Sequence, residues 1–106
     1  VGTNQLGRVY GAVGQNHFRR IRVIDYMGIG DKGILAVGTD MREITLNMID
    51  EMLSEEDELI SIYYGSDVEE EDAESIREEV ENRHPNCDVE LQYGGQPIYY
   101  YVVSAE

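Results

Sequence analysis

The chain has 106 residues, of which 42% are apolar and 28% charged, a size and composition typical of one folded domain. Its net charge of −14 argues against binding to nucleic acid or to an anionic membrane surface, because both would repel it. No apolar run is long enough to span a membrane, the chain opens without a secretory leader, and its one cysteine cannot form an internal disulfide, so we expect a cytoplasmic protein.

The first elements read as strands. Residues 8–13 form an apolar extended run, and residues 21–27 form a second one. Asp31, Lys32 and Gly33 then supply a turn into the apolar residues 34–37. We predict a hairpin here, with a positive φ at Gly33.

A helix is predicted after this hairpin. Asp40 is an N-cap candidate, with Glu43 three residues later as in a capping box. Apolar residues then recur at helical spacing, namely Met41, Ile44, Met48, Ile49, Met52 and Leu53. A methionine-rich stripe can bind partner proteins, but core packing is favoured because an apolar strand over residues 58–64 follows at once and needs covering.

The second half of the chain alternates strand and helix. After Gly65 an acidic helix is predicted over residues 69–83, ended by Pro85, and a strand follows over residues 88–93. This order implies a parallel strand pair with a right-handed crossover.

A last strand, over residues 98–104, follows a turn and is predicted to lie antiparallel to its predecessor. Both of its faces are apolar or aromatic, which places it in the centre of the sheet or against another domain. The predicted fold class is α+β, a two-layer sandwich in which a mixed sheet of about five or six strands carries two helices on one face. Nothing obvious in the chain covers the second face, which hints at a missing neighbour.

The residue patterns of common reaction centres do not occur. Gly65 precedes a helix start, but the carboxylates of residues 67–72 would repel a phosphate, and no phosphate-binding lysine motif accompanies it. The same acidic run is interpreted as a solvated helix face rather than a metal site. A Cys87–His84 nucleophile and a His17–Asp25 pair are both disfavoured. We therefore assign no catalytic, cofactor-binding or metal-binding residue.

Tyrosine usage is skewed, with eight tyrosines, one phenylalanine and no tryptophan. Six of the tyrosines fall at predicted strand ends near one turn, at positions 63, 64, 93 and 99–101. Tyrosine is enriched in interface hot spots, yet it also favours strands for its own sake. An interface and an ordinary sheet both remain open.

Residues 88–106 contain the segment Gly94-Gly95-Gln96-Pro97 followed by an aliphatic residue and a tyrosine run. This ending resembles the C-terminus of the bacterial dihydroxyacetone-kinase-like proteins, the fatty acid kinase A family. Residues 59–68, 84–86 and 27–29 are also similar to that family, although Ala105 departs from its usual tail.

The resemblance implies that residues 1–106 are a single C-terminal domain, a fragment of a larger multidomain kinase. In the family, ATP and magnesium bind an N-terminal domain that is absent here, and the C-terminal region engages a DegV-like protein that carries the fatty acid. The fragment itself is then a non-catalytic docking domain. Its expected partner or interdomain contacts are Gly94, Gly95, Gln96 and Pro97, with Tyr99 and Tyr101 beside them. A second interpretation of residues 94–97 stays open: a rigid turn in which the glycines supply positive φ and Pro97 starts a strand.

An alternative assigns the domain to a different class, as a small-molecule sensor or a phosphatase-like domain of a dihydroxyacetone-kinase-related protein. A well-formed pocket with converging polar groups would favour that alternative, and a flat or convex aromatic surface would favour docking.

Overall fold

A computed structural model describes residues 5–12, 25–30, 33–97 and 99–106. In these ranges the chain forms strands and helices whose order is β1 (Gln5–Ala12), β2 (Asp25–Gly30), β3 (Gly33–Gly38), α1 (Met41–Met52), β4 (Leu59–Tyr64), α2 (Glu70–Arg83), β5 (Asp88–Tyr93) and β6 (Tyr101–Ala105). The predicted residues 13 and 21–24 of the first two strands lie outside the described residues.

The strands form one mixed sheet in the order β3-β2-β1-β6-β4-β5. β4 and β5 pair in parallel, as predicted from the strand–helix–strand order, and the other neighbours are antiparallel. α1 packs on β1, β2 and β3, while α2 packs on β4 and β5. The predicted two-layer α+β sandwich with two helices is confirmed.

The hairpin of β2 and β3 is also confirmed. The two strands pair in antiparallel register from Tyr26 opposite Gly38 to Gly30 opposite Gly33. Gly33 has a φ of 122°, a positive value that the turn was predicted to require and that glycine adopts without strain. Asp31 and Lys32 lie outside the described residues.

The position of β6 corrects one prediction. It does not pair with its predecessor β5 but lies between β1 and β4, antiparallel to both. Its central place agrees with its two apolar faces, and Tyr101, Val103 and Ala105 are completely buried. The strand begins at Tyr101 and not at residue 98 as predicted. Before it, the carbonyls of Gln96 and Tyr100 accept hydrogen bonds from the amides of Ser66 and Gly65, just beyond the end of β4. Ile98 itself is outside the described residues.

α1 begins where the sequence predicted. Asp40 has an extended backbone, and its Oδ1 accepts hydrogen bonds from the amides of Arg42 and Glu43 at 3.0 and 3.3 Å. Most of the predicted stripe is buried, and Leu46 and Thr45 join it. Thr45 satisfies its hydroxyl by donating to the Met41 carbonyl at 2.7 Å. The stripe is therefore core, not an exposed partner surface.

Replacing the cap should weaken the fold modestly. We expect Asp40→Ala to lower the free energy of unfolding by about 1 kcal/mol, since two amide donors at the helix start lose their acceptor. Urea unfolding followed by circular dichroism measures this change. Asp40→Asn, which keeps an acceptor oxygen, should recover most of it; an equal loss in both variants would show that the charge matters and the cap does not.

α2 has a narrow buried face made of Ala73, Ile76 and Val80, the residues predicted for it. The carboxylates in its first turn favour the positive end of the helix dipole. At its end Arg83 contacts Asp50 of α1 at 2.8 Å, and the backbone leaves the helix at His84, before Pro85. Asp50 thus joins the C-terminal ends of the two helices.

The face of the sheet opposite the helices carries Arg8, Val102 and Tyr63 side by side on three neighbouring strands. Each is half-buried. In the ranges that the structure describes, no helix or strand covers this face. None of the helices described is both long and apolar enough to cross a membrane.

Candidate functional site

The predicted contact loop is part of a longer connection, residues 94–100, which we call the crossover segment. It leaves the edge strand β5, passes the C-terminal end of β4 and delivers the chain to β6. The amides of Gly94 and Gly95 donate to the Tyr64 carbonyl at 2.9 and 3.3 Å, and the Tyr100 amide donates to the Val9 carbonyl at 2.7 Å. The segment is therefore fastened to both β4 and β1.

Gln96 fixes the middle of the crossover segment. Its side-chain Nε2 donates to the Tyr63 carbonyl at 3.0 Å, and its backbone carbonyl accepts from the Ser66 amide at 3.1 Å. A Cβ added at Gly94 would collide with the Gln96 side-chain oxygen. The glutamine thus acts within the domain, and a glycine fits best at position 94.

Two more glycines shape this region. Gly95 has a φ of 70°, which an L side chain rarely adopts. Gly65 lies directly under the crossover segment, and its amide donates to the Tyr100 carbonyl at 2.8 Å. A Cβ at Gly65 would lie 2.5 Å from the Tyr99 carbonyl oxygen and 2.7 Å from that of Gln96. Backbone lies directly on backbone here, with Gly65 against the carbonyls of Gln96 and Tyr99.

The structure places the predicted contact residues at different depths. Gly94 and Pro97 are exposed, whereas Gly95, Gln96 and Tyr99 are half-buried. The guanidinium carbon of Arg8 lies 5.9 Å from the centre of the Tyr99 ring, within the range of a cation–π interaction.

Tyr101 differs from the other residues of this set and requires a correction. It is completely buried, because β6 is a central strand and residue 101 points toward the helices together with Val103 and Ala105. Tyr101 therefore belongs to the core and does not lie on the surface beside the loop.

An aromatic pair borders the crossover segment. The rings of Tyr64 and Tyr93 lie 5.3 Å apart at an angle of 59°, and Tyr93 is 62% exposed. Partial burial, followed by the nearby carboxylates of Glu70 and Glu74, raises the pKa of Tyr64. In the sequence, Tyr93 is one of eight tyrosines and has no distinguishing signal. Its exposure could not be predicted, because it depends on β5 being an edge strand.

Cys87 and His84 do not form a nucleophile pair. The Cys87 thiol donates to the Asp57 carbonyl at 3.3 Å, and His84 Nε2 lies 2.8 Å from Asp50 Oδ1. Burial, and next the charge of Asp57, raises the pKa of Cys87, which keeps the thiol protonated. His17, of the other disfavoured pair, lies outside the described residues.

Within the described ranges, His, Cys, Asp and Glu nowhere come together in a group of three that could hold a metal ion. Among the described residues, the predicted contacts lie together at one end of the sheet. This end carries the crossover segment and the Tyr64–Tyr93 pair.

Comparison with known proteins agrees with the resemblance seen in the sequence. The family of FakA-like fatty acid kinase C-terminal domains matches residues 3–106. The chain is 32% identical over 102 residues to "Protein YloV" of Bacillus subtilis, covering 94% of this chain and 18% of that protein. It is 31% identical over 81 residues to an uncharacterized protein of Staphylococcus aureus strain USA300, covering 76% and 15%. The chain thus spans less than a fifth of the relatives it matches.

Proposed function

Because the chain belongs to the family of FakA-like fatty acid kinase C-terminal domains, we propose that it is the non-catalytic docking domain of a larger cytoplasmic kinase. In this proposal it engages a DegV-like fatty-acid-binding protein, so that an ATP- and magnesium-binding domain elsewhere in the parent chain phosphorylates the acyl carboxylate. The domain itself needs no cofactor. The parent protein would then act as a phosphotransferase in lipid metabolism.

The observation that carries the proposal is the exposed Tyr93 beside a crossover segment that is hydrogen-bonded to the end of β4. Interfaces gain most of their binding energy from a few aromatic or arginine anchors on surfaces that are already ordered. Tyr93 is 62% exposed and contacts Tyr64, and the adjoining Gly94 and Gly95 amides are bonded to Tyr64. Such a side chain loses little further freedom when a partner covers it.

The test replaces the exposed aromatic anchor. We expect Tyr93→Ala to weaken binding of a DegV-like partner by about tenfold or more, as for a hot-spot residue. Titration calorimetry with the purified chain, or with the parent protein that contains it, measures the affinity. Stability should change little because the side chain is mostly in solvent.

Ile34→Ala is the matched control. Ile34 is 58% exposed, nearly as much as Tyr93, but it lies on β3 at the opposite edge of the sheet. Equal affinity losses in the two variants, or none in either, would contradict docking at the crossover segment. Gln96→Ala is a poorer probe, since Gln96 bonds to Tyr63 within the domain and its removal disturbs the segment itself.

The alternative of a small-molecule sensor is favoured by a separate observation, a cavity on the helix side of the sheet. That cavity includes the buried Tyr101 and does not involve the exposed Tyr93.

A further inference from the structure

A cavity of about 230 Å³ lies between the beginning of α1 and the first turns of α2. Exposed residues form its rim and buried ones its floor, so it opens to solvent on one side. Its walls are formed by Asp40, Met41, Arg42, Asp72, Ser75, Ile76 and Tyr101.

The floor contains an unsatisfied polar group. Tyr101 is completely buried, and its hydroxyl has no hydrogen-bond partner in the part of the chain that the structure describes. Burial, followed by the negative charge of Asp72, raises the pKa of Tyr101, so the phenol stays neutral and keeps its proton. Buried hydroxyl groups in native proteins almost always have a partner, which marks this one as a group waiting for a ligand or a water molecule.

The rim of the cavity carries side chains of both charges: Arg42 is positive, and Asp40 and Asp72 are negative. The guanidinium of Arg42 donates from Nε to the Ser75 hydroxyl at 3.2 Å. Among the residues that the structure describes, Arg42 forms no ion pair, so its other N–H donors remain for a ligand.

The two carboxylates of the cavity differ in availability. Asp40 uses Oδ1 to cap α1, where it accepts from two amides. Among the residues that the structure describes, the Asp72 carboxylate accepts no such hydrogen bond, and its negative charge acts on the Tyr101 hydroxyl. The free recognition groups are therefore the guanidinium of Arg42, the carboxylate of Asp72 and the hydroxyl of Tyr101.

Size limits the ligand further. The volume of about 230 Å³ is several times that of a water molecule, which occupies about 30 Å³ in the liquid. It is below the range of about 300–1,000 Å³ that is usual for sites of drug-sized molecules. A nucleotide or a long acyl chain is too large, and a single ion is too small to reach both the rim and the floor.

We propose that this cavity binds a small zwitterion of the size of a short amino acid. Its carboxylate pairs with the Arg42 guanidinium, and its ammonium group donates to Asp72 and to the Tyr101 oxygen. Each free recognition group thereby gains a partner, and the two opposite charges of the rim are both used. The site is separate from the docking surface at Tyr93 and does not depend on it.

The test uses L-alanine as the probe and ¹⁵N-labelled chain. We expect saturable amide shifts in the NMR spectrum at Arg42, Ser75 and Ile76. Propionate and ethylamine, which each carry one of the two charges, should bind about tenfold more weakly, since each lacks one charge-assisted hydrogen bond. Tyr101→Phe, which removes one oxygen and keeps the shape of the core, should weaken L-alanine binding about tenfold.

Matched variants separate the site from general effects. Asp50→Asn removes a carboxylate from the far ends of the same helices and should not change L-alanine binding. Asp72→Asn should weaken it. The absence of saturable shifts would mean that the cavity holds water only and would overturn the proposal. Equal binding of the single-charge analogues, or full binding by Tyr101→Phe, would overturn it as well.

Discussion

Gly65→Ala should destabilise the protein and displace the crossover segment. The new Cβ would lie 2.5 Å from the Tyr99 carbonyl oxygen and 2.7 Å from that of Gln96. Both are backbone atoms, so no side chain can rotate away, and the hydrogen bonds from Gly65 and Ser66 to the segment must lengthen. We expect a loss of about 3 kcal/mol in the free energy of unfolding, at the upper end of ordinary overpacking.

Urea unfolding followed by circular dichroism gives this loss, and amide exchange at Gly94 and Tyr100 reports the displaced segment. Ser66→Ala is the control, because Ser66 is exposed and bonds to Gln96 through its backbone amide. If Gly65→Ala unfolds at the same urea concentration as Ser66→Ala, the close contact between Gly65 and the segment is wrong. With a partner in hand, Gly65→Ala should also bind more weakly than Ser66→Ala.

On the helix side of the sheet, Met48→Ala should cause a large loss in the free energy of unfolding. Met48 is completely buried under α1 and lies over two glycines of neighbouring strands. A Cβ at Gly7 would lie 2.8 Å from the Met48 methyl carbon, and one at Gly28 would lie 2.9 Å from the Met48 Cβ. These glycines let the helix approach the sheet closely. Truncating the side chain leaves a cavity, and we expect a loss of about 2–5 kcal/mol in the free energy of unfolding.

A double-mutant cycle tests the contact itself. Gly7→Ala alone should be destabilising because its Cβ would collide with the methyl carbon and sulfur of Met48. Met48→Ala removes both atoms, so combining the two changes should cost less than the sum of the single changes. Met41→Ala, at the half-buried first position of α1, is the control and should lose less than Met48→Ala. Strict additivity would contradict the packing of Met48 over the two strands.

Docking and ligand binding would use different parts of this domain. The exposed Tyr93 belongs to the edge strand β5, whereas Tyr101 lies under the helices on the central strand β6. The two residues are joined through Tyr64, which pairs with Tyr101 across β4 and β6 and contacts the Tyr93 ring. A variant of one site can therefore be tested for binding at the other site. A change in partner affinity when L-alanine binds would reveal coupling between the two sites.

Elements whose signals are local could be predicted from the order of the amino acids alone. The cap at Asp40, the stripe of α1, the acidic α2 with its three buried residues and the parallel β4–β5 pair all follow from short-range patterns, and the structure confirms them. The family was also readable, since residues 94–97 are unusual in composition and the family matches over nearly the whole chain.

The place of β6 in the sheet, and with it the burial of the residues around the loop, could not be predicted in this way. A strand with two apolar faces can pair with several neighbours, and its partner depends on hydrogen bonds between residues far apart in the chain, such as Tyr100 to Val9. That choice buries Tyr101, leaves Tyr93 on an edge strand and turns Gln96 inward to Tyr63. Local patterns contain no information on such distant pairings, because alternation along a strand is the same whichever strand lies beside it.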